Sequence, residues 1–410
     1  MTSQTFSFRH YLATIGSSNF SMGVHTILFP WLIIGVLEQS PSRLGLAQMA
    51  LLLPNLLFIL PGGVVSDGRH RGTWLSLLYA LYMLPVGLLF LAVATDQLSF
   101  SVMLLFAISF GTISAFVQPA RESLLGYADQ SLMHQAVAKV VAVQFVAQSV
   151  GFFFAGQIEN VGVLPLLALQ VCMFAFSAWC IRQCHPLMKS TPEATNEAII
   201  KPRNPLAELR KGFNLFAENR ALLHLIFLVF ATGFLAFGVY LVGMPLIAKQ
   251  GYGGGPQLYA GLQITFTLGI VSANLGVMKR AKMFKRPGRL MIISFLWRGS
   301  LVGIVAFIPS LWVLFPVVYV WGFFSGLSMT LGRTILHNQV PHALRSRAAS
   351  VYQLSLFGGA PLGAWASGVA IQAVGLSVTF ITIASLTLVV SLVAALRSPL
   401  WALATQEPAD

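Results

Sequence analysis

His25, Lys139 and Arg298 are side chains that carry charge, or can carry it, inside long apolar runs. An ionisable group in hydrocarbon is costly and marks function by default. Lys139 and Arg298 are fixed cations that can hold an anionic group of a ligand, and His25 titrates near neutral pH and can carry a proton. No aspartate or glutamate falls in the interior of such a run: Glu38, Asp96 and Glu159 stand at run ends and the others lie between runs or after the last one. A cationic ligand would call for a buried carboxylate as counter-charge, so the pattern points to an anionic, zwitterionic or neutral small organic molecule. Each residue also has a plainer reading. Lys139 lies about five residues from the end of its run and can snorkel to the membrane surface. Arg298 can bond a neighbouring helix, and a lone His25 can be a hydrogen-bonded structural residue. Gln144 and Gln148, one helical turn apart, offer polar lining if their run faces a ligand, as do Tyr352 and Ser355 on a later one.

An acid and two arginines meet in the stretch from Gly62 to Gly72, where one apolar run ends and the next begins. Gly62 and Gly63 close the earlier run, where a missing Cβ lets a neighbouring helix approach. Gly68 and Gly72 permit the positive φ of an abrupt reversal. Asp67 and Arg71 then sit in a tight hairpin. A carboxylate near the N-terminus of a neighbouring helix gains about 0.3–1 kcal/mol, whereas a solvated loop pair is worth under about 1 kcal/mol.

The elements that position these residues are helices in a membrane. The 410 residues are 56% hydrophobic and 9% charged, with mean hydropathy +0.78, against about 25% charged in a soluble chain. No repeated short alternation suggests a barrel. Runs long enough to cross a bilayer as helices, about 20 residues each, recur at 11–37, 44–66, 73–95, 99–119, 134–157 and 163–182, and again at 221–246, 257–278, 289–308, 312–333, 347–372 and 377–396. Ten residues precede the first run and no small-residue cleavage site follows it, so an uncleaved first span is expected. The fold expected is all-α and integral to the membrane, with twelve transmembrane helices in two six-helix halves. The halves are residues 1–182 and 221–396, joined by a linker at 183–220 and followed by a tail at 397–410. A parallel internal repeat accounts for the order: Gly151 and Gly156 fall, at an offset of 212 residues, on Gly363 and Gly368. With Gly359, these glycines are expected to pack helices closely.

The net charge of +13 reflects topology rather than nucleic-acid binding. Of 25 lysines and arginines, 21 fall on one side if the N-terminus is inside, and only Arg43 and Lys249 fall in outer loops. Both termini are therefore expected in the cytoplasm. The basic stretch Lys279–Arg289 can also touch anionic headgroups of the lipid bilayer. In the linker, Asn204-Pro205 is a helix start, and Leu206, Leu209, Phe213 and Phe216 follow at helical spacing, predicting a short amphipathic helix on the membrane surface. Cys172, Cys180 and Cys184 form no disulfide framework, and no metal cluster, phosphate loop or nucleophile–base set is visible. No cofactor is expected, and neither an enzyme nor an ATP-driven pump fits.

Two six-helix halves, a long central loop and Gly63-x-x-x-Asp67-x-x-x-Arg71 between the second and third spans resemble the major facilitator superfamily. This chain has Gly68 and His70 where that signature has arginine and glycine. Within the superfamily, Gln118-Pro119-Ala120, Asn204-Pro205-Leu206, the run Gln339–Arg347 and Gly359-Ala-Pro-Leu-Gly363 are similar to the enterobactin (siderophore) exporter subfamily. One departure is Gly151-Phe152, where relatives carry Gly-Pro in a motif associated with antiport. The resemblance implies a secondary transporter of the bacterial inner membrane, a monomer working by alternating access and exporting a siderophore-like small molecule, with protons as a possible coupling ion and His25 as a coupling candidate. It also implies a gate in which Asp67 meets the helix start near Arg347 while Arg71 pairs with Glu122. Import, multidrug efflux, or a non-transporting receptor or accessory role are the alternatives.

Overall fold

The computed structural model describes residues 7–67, 71–125, 133–184, 215–280, 286–341 and 344–403. Every long element among them is a helix: α1 (Phe8–Val36), α2 (Pro41–Asp67), α3 (Arg71–Ala94), α4 (Phe100–Leu125), α5 (Met133–Gly156), α6 (Val163–Gln183), α7 (Arg220–Gly251), α8 (Pro256–Arg280), α9 (Pro287–Ala306), α10 (Leu311–Gln339), α11 (Arg345–Val374) and α12 (Leu376–Arg397). Eleven of the described helices are long and apolar enough to cross a membrane. The twelfth long helix is α2, of 27 residues. Prolines open α2, α8 and α9, where the missing N–H costs nothing. The amphipathic helix expected at Asn204–Phe216 lies almost wholly outside the described residues, although Leu215–Glu218 are helical.

The chain divides into two compact units, Met1–Gln39 with Ala50–Pro202 and Gly254–Gly261, and Ser40–Met49 with Arg203–Gly253 and Leu262–Asp410. In the first, α1 is central and carries the most enclosed candidate span, with 72% of its most apolar window buried. Hydroxyls tie it in: Ser17 and Ser177 meet at 2.6 Å between α1 and α6, and Ser76 of α3 donates to the Ala178 carbonyl of α6 at 2.9 Å. In the second, a core around Leu222, Phe295, Leu331 and Tyr352 is closed by the turn Pro399–Ala402, whose Leu400 is fully buried.

The internal repeat is visible in each unit separately. Gly162 precedes α6 with φ 87° and ψ 166°, and Gly375 precedes α12 with φ 84° and ψ 166°, a backbone region open almost only to glycine. The same close approach recurs at two crossings. A Cβ on Gly23 of α1 would overlap the Gln148 carbonyl of α5, and one on Gly151 the Phe20 carbonyl of α1. In the second unit a Cβ on Gly233 of α7 would overlap the Leu356 carbonyl of α11, and one on Gly363 the Phe234 carbonyl of α7. There the helix is not regular: Thr232–Phe237 of α7 is a π-turn, and further π-turns end α1 at Leu32–Val36 and α7 at Ile247–Gly251.

Candidate functional site

The hairpin that carries the acid is bounded by helix ends. Asp67 is the last residue of α2 and Arg71 the first of α3, while Gly63 lies on the last turns of α2 and Glu122 on the last turn of α4. The side chains of these four lie outside the described set. A carboxylate at the C-terminal end of its own helix opposes that helix's dipole. Arg347 is half-buried on the first turn of α11, where a helix N-terminus supplies free N–H groups.

The residues of α5 are more accessible. This helix is the least enclosed candidate span, with 17% of its most apolar window buried. Lys139 is exposed on it, and Gln144 and Gln148 are half-buried. The same helix fits against α1 through Gly151. Thus α5 is held closely by glycine near its C-terminal end and leaves a lysine open nearer its start. Gly156, at its C-terminal end, meets the Ala260 methyl.

His25 is placed differently. It is 6% exposed, inside the first unit. Its ring lies on Phe110 at 4.2 Å between centroids and 18° between planes, with Phe29 at 5.3 Å and Phe106 at 5.6 Å. Its Nε2 is buried with no hydrogen-bond partner among the described residues. Beyond Phe110, Tyr82 stacks on Phe174 at 4.7 Å.

In the second unit Tyr352 is buried, with its hydroxyl close to Gly332, and Ser355 donates to the Val351 carbonyl at 2.9 Å one turn back. Gly359 lies against the Phe230 carbonyl and Gly233. Arg298 is enclosed: 2% exposed, with Nη1 donating to Ser328 Oγ at 3.2 Å and its guanidinium 4.9 Å from the Phe295 ring centroid. The sequence reading did not single out the polar pairs of α8. Tyr240 of α7 donates to Gln263, and Thr330 of α10 donates to Asn274 Oδ1 at 2.8 Å. Tyr240 also packs on Phe266 at 4.4 Å and meets Trp321 edge-on at 6.0 Å. Neutral polar residues within an apolar run were the available signal, since in hydrocarbon they need protein or water partners. Among the described residues no group of three or more histidines, cysteines, aspartates or glutamates could hold a metal ion.

Twelve long helices among the described residues and a repeat with matching glycine crossings define the fold of the major facilitator class. The chain belongs to the transmembrane secretion effector family, whose pattern matches residues 2–409. It is 24% identical over 354 residues to the staphyloferrin A transporter of Staphylococcus aureus, covering 85% of this chain and 86% of that one. It is also 24% identical over 398 residues to the multidrug efflux pump Tap of Mycolicibacterium fortuitum, covering 93% and 92%. A mutant of the nucleoside transporter NupG shares the fold, with TM-score 0.75 and 14% identity over 94% of this chain and 98% of that one. So does a bacterial homolog of the human lysosomal transporter Spinster, with TM-score 0.69 and 16% identity over 98% of each. The chain is therefore a multi-pass membrane transporter of small organic substrates that resembles siderophore transporters and efflux pumps.

Proposed function

We propose that this chain exports a siderophore-like anionic or neutral organic molecule across the bacterial inner membrane by alternating access, with both termini in the cytoplasm. The observation that carries the reading is a cation without a rival acid: Lys139 is open on the least enclosed helix, and no apolar run contains an aspartate or glutamate in its interior. A carboxylate or catecholate group is the natural counter-charge for that lysine. Gln144 and Gln148 supply hydrogen bonds beside it, with Tyr352 and Ser355 as further contacts. The relative named for staphyloferrin A supports a siderophore-like substrate. The match to a multidrug pump over 93% of this chain favours a broader-range exporter as the second reading. In the proposed cycle Asp67, Arg71, Glu122 and Arg347 close the cytoplasmic gate, and the glycines of α5 and α11 let helices shift against their partners. Protons drive the cycle through His25, the protein acts as a monomer, and no catalytic step is involved.

The test is flux in everted membrane vesicles, with and without a proton gradient, using a carboxylate siderophore and a neutral analogue of similar size. Uptake into everted vesicles, equivalent to export, should require the gradient. Lys139→Ala should lower flux of the anion roughly tenfold more than that of the neutral analogue, the scale of one lost charge-assisted hydrogen bond. Asp67→Asn should slow both substrates at normal protein abundance. Equal loss for the two substrates in Lys139→Ala would make the lysine structural, and flux only in right-side-out vesicles would reverse the direction.

A further inference from the structure

Carboxylates are distributed unevenly along the chain. Between Glu218 and Glu407 there is no aspartate or glutamate, and that interval contains every helix from α7 to α12. Arg298 lies within it, on α9, with 2% of its surface exposed. A guanidinium has five N–H donors and keeps its charge at any physiological pH. Here Nη1 has Ser328 Oγ at 3.2 Å, and Nε is buried with no acceptor among the described residues. Ser328 gives its own proton to the Ser325 carbonyl at 3.0 Å, so it offers the arginine a lone pair and no charge. The Phe295 face, 4.9 Å away, adds a quadrupole attraction that is weaker than a counter-ion.

A buried ion left without an opposite charge is strongly destabilising. The usual remedy, a carboxylate from a neighbouring helix, is excluded here by the sequence of α7 to α12 themselves. Lys139 differs, because it is exposed rather than enclosed. Among the described residues no carboxylate of α7 to α12 meets the charge on Arg298. With 2% of its surface exposed, Arg298 suits a small anion better than a bulky lipid phosphate or organic acid.

We propose that Arg298 holds a small monovalent inorganic anion, chloride or a halide of similar size, beside Ser328 as a fixed counter-charge of the second unit. The site is separate from the substrate contacts proposed above and does not depend on the direction or identity of transport. It makes the fold, rather than the flux, sensitive to halide.

The experiment is thermal unfolding of the purified full-length protein in potassium chloride and in potassium gluconate, at equal ionic strength and pH. The wild type should melt several degrees higher in chloride, the increment should saturate with concentration as specific binding requires, and bromide should reproduce it. Arg298→Gln should melt alike in the two salts. Equal melting of the wild type in both salts overturns the proposal, and so does a chloride increment that survives in Arg298→Gln or that phosphate gives equally. Where Arg298→Gln yields no folded protein, Arg298→Lys keeps a cation of different shape. Its half-saturating chloride concentration should shift by roughly threefold or more, and an unchanged value overturns the assignment.

Discussion

At the crossing of α1 with α5, Gly23 and Gly151 bring two helices into backbone contact while α1 stays α-helical from Phe8 to Trp31. At the crossing of α7 with α11, Gly233, Gly238, Gly359 and Gly363 do the same, but α7 passes through it as a π-turn over Thr232–Phe237. The repeat thus preserves the contact and not the hydrogen-bond pattern. A π-turn widens the helix and weakens its ladder at one place, and such turns are enriched at functional sites. In the first unit α1 is regular where it crosses α5 and turns to a π-turn only at its end, whereas in the second the π-turn lies where α7 touches α11.

The harshest way to break this comparison is to fill the crossings. Gly363→Val places a side chain into the Phe234 carbonyl, and Gly151→Val places one into the Phe20 carbonyl and Gly23. Each should lose about 3 kcal/mol or more, the upper range for overpacking a core, seen as lost yield and a lower melting temperature. Gly276→Ala, with open space around its Cα, should stay near wild type. If Gly151→Val were tolerated, the two crossings would not be equivalent contacts.

A second test separates contact from hydrogen-bond pattern. Deleting Ala236 removes one residue from the π-turn and lets α7 close as an ordinary helix with its flanks in register. Deleting Ser21 from the regular α1 instead rotates all that follows by about 100°. The Ala236 deletion should leave a folded protein with transport lowered roughly tenfold, while the Ser21 deletion should not fold. Flux and melting temperature measured on the same preparations decide this. Full transport by the Ala236 deletion would reduce the π-turn to a packing accident.

Much of this was legible in the chain itself. The twelve apolar runs correspond to the twelve helices because bilayer thickness fixes their length, and the glycines of α5 and α11 stood out because a missing Cβ inside an apolar run has few uses other than close approach. The π-turns were not legible, since Thr232–Phe237 contains nothing that an α-helix would refuse. Nor was the setting of His25, whose aromatic neighbours Phe106 and Phe110 come from α4, far along the chain. The sequence showed that Arg298 lay in an apolar run without showing that Ser328 would be its hydrogen-bond partner.

His25 sharpens the contrast between the units at lower cost. Its aromatic cluster contains a histidine, whereas the cluster of Tyr240, Phe266 and Trp321 in the second unit contains none. His25→Phe keeps a ring against Phe110 and removes an unpartnered Nε2. Stability should therefore change by less than about 1.5 kcal/mol, as for a near-isosteric swap, while vesicle flux should lose its response to the proton gradient. A gradient response equal to wild type would return His25 to a packing role.

The smallest expected effect lies at the starts of the two helices compared above. Asn219 precedes α7 in extended backbone, and its Oδ1 accepts from the N–H groups of Ala221 at 2.9 Å and Leu222 at 3.2 Å. Ser7 precedes α1 with no such bond and turns its hydroxyl to His10 Nδ1 at 2.6 Å. Asn219→Ala strands two donors at the head of a helix that already carries two π-turns, and should cost about 1 kcal/mol, the ordinary value of an N-cap. Ser7→Ala removes no cap and should cost less than about 0.5 kcal/mol. Melting temperatures of the two variants against wild type give the answer. A larger loss for Ser7→Ala would mean that the first unit, for all its regularity, depends on its terminus more than α7 does. The expected order instead places the added support at the irregular helix, where the backbone ladder supplies less.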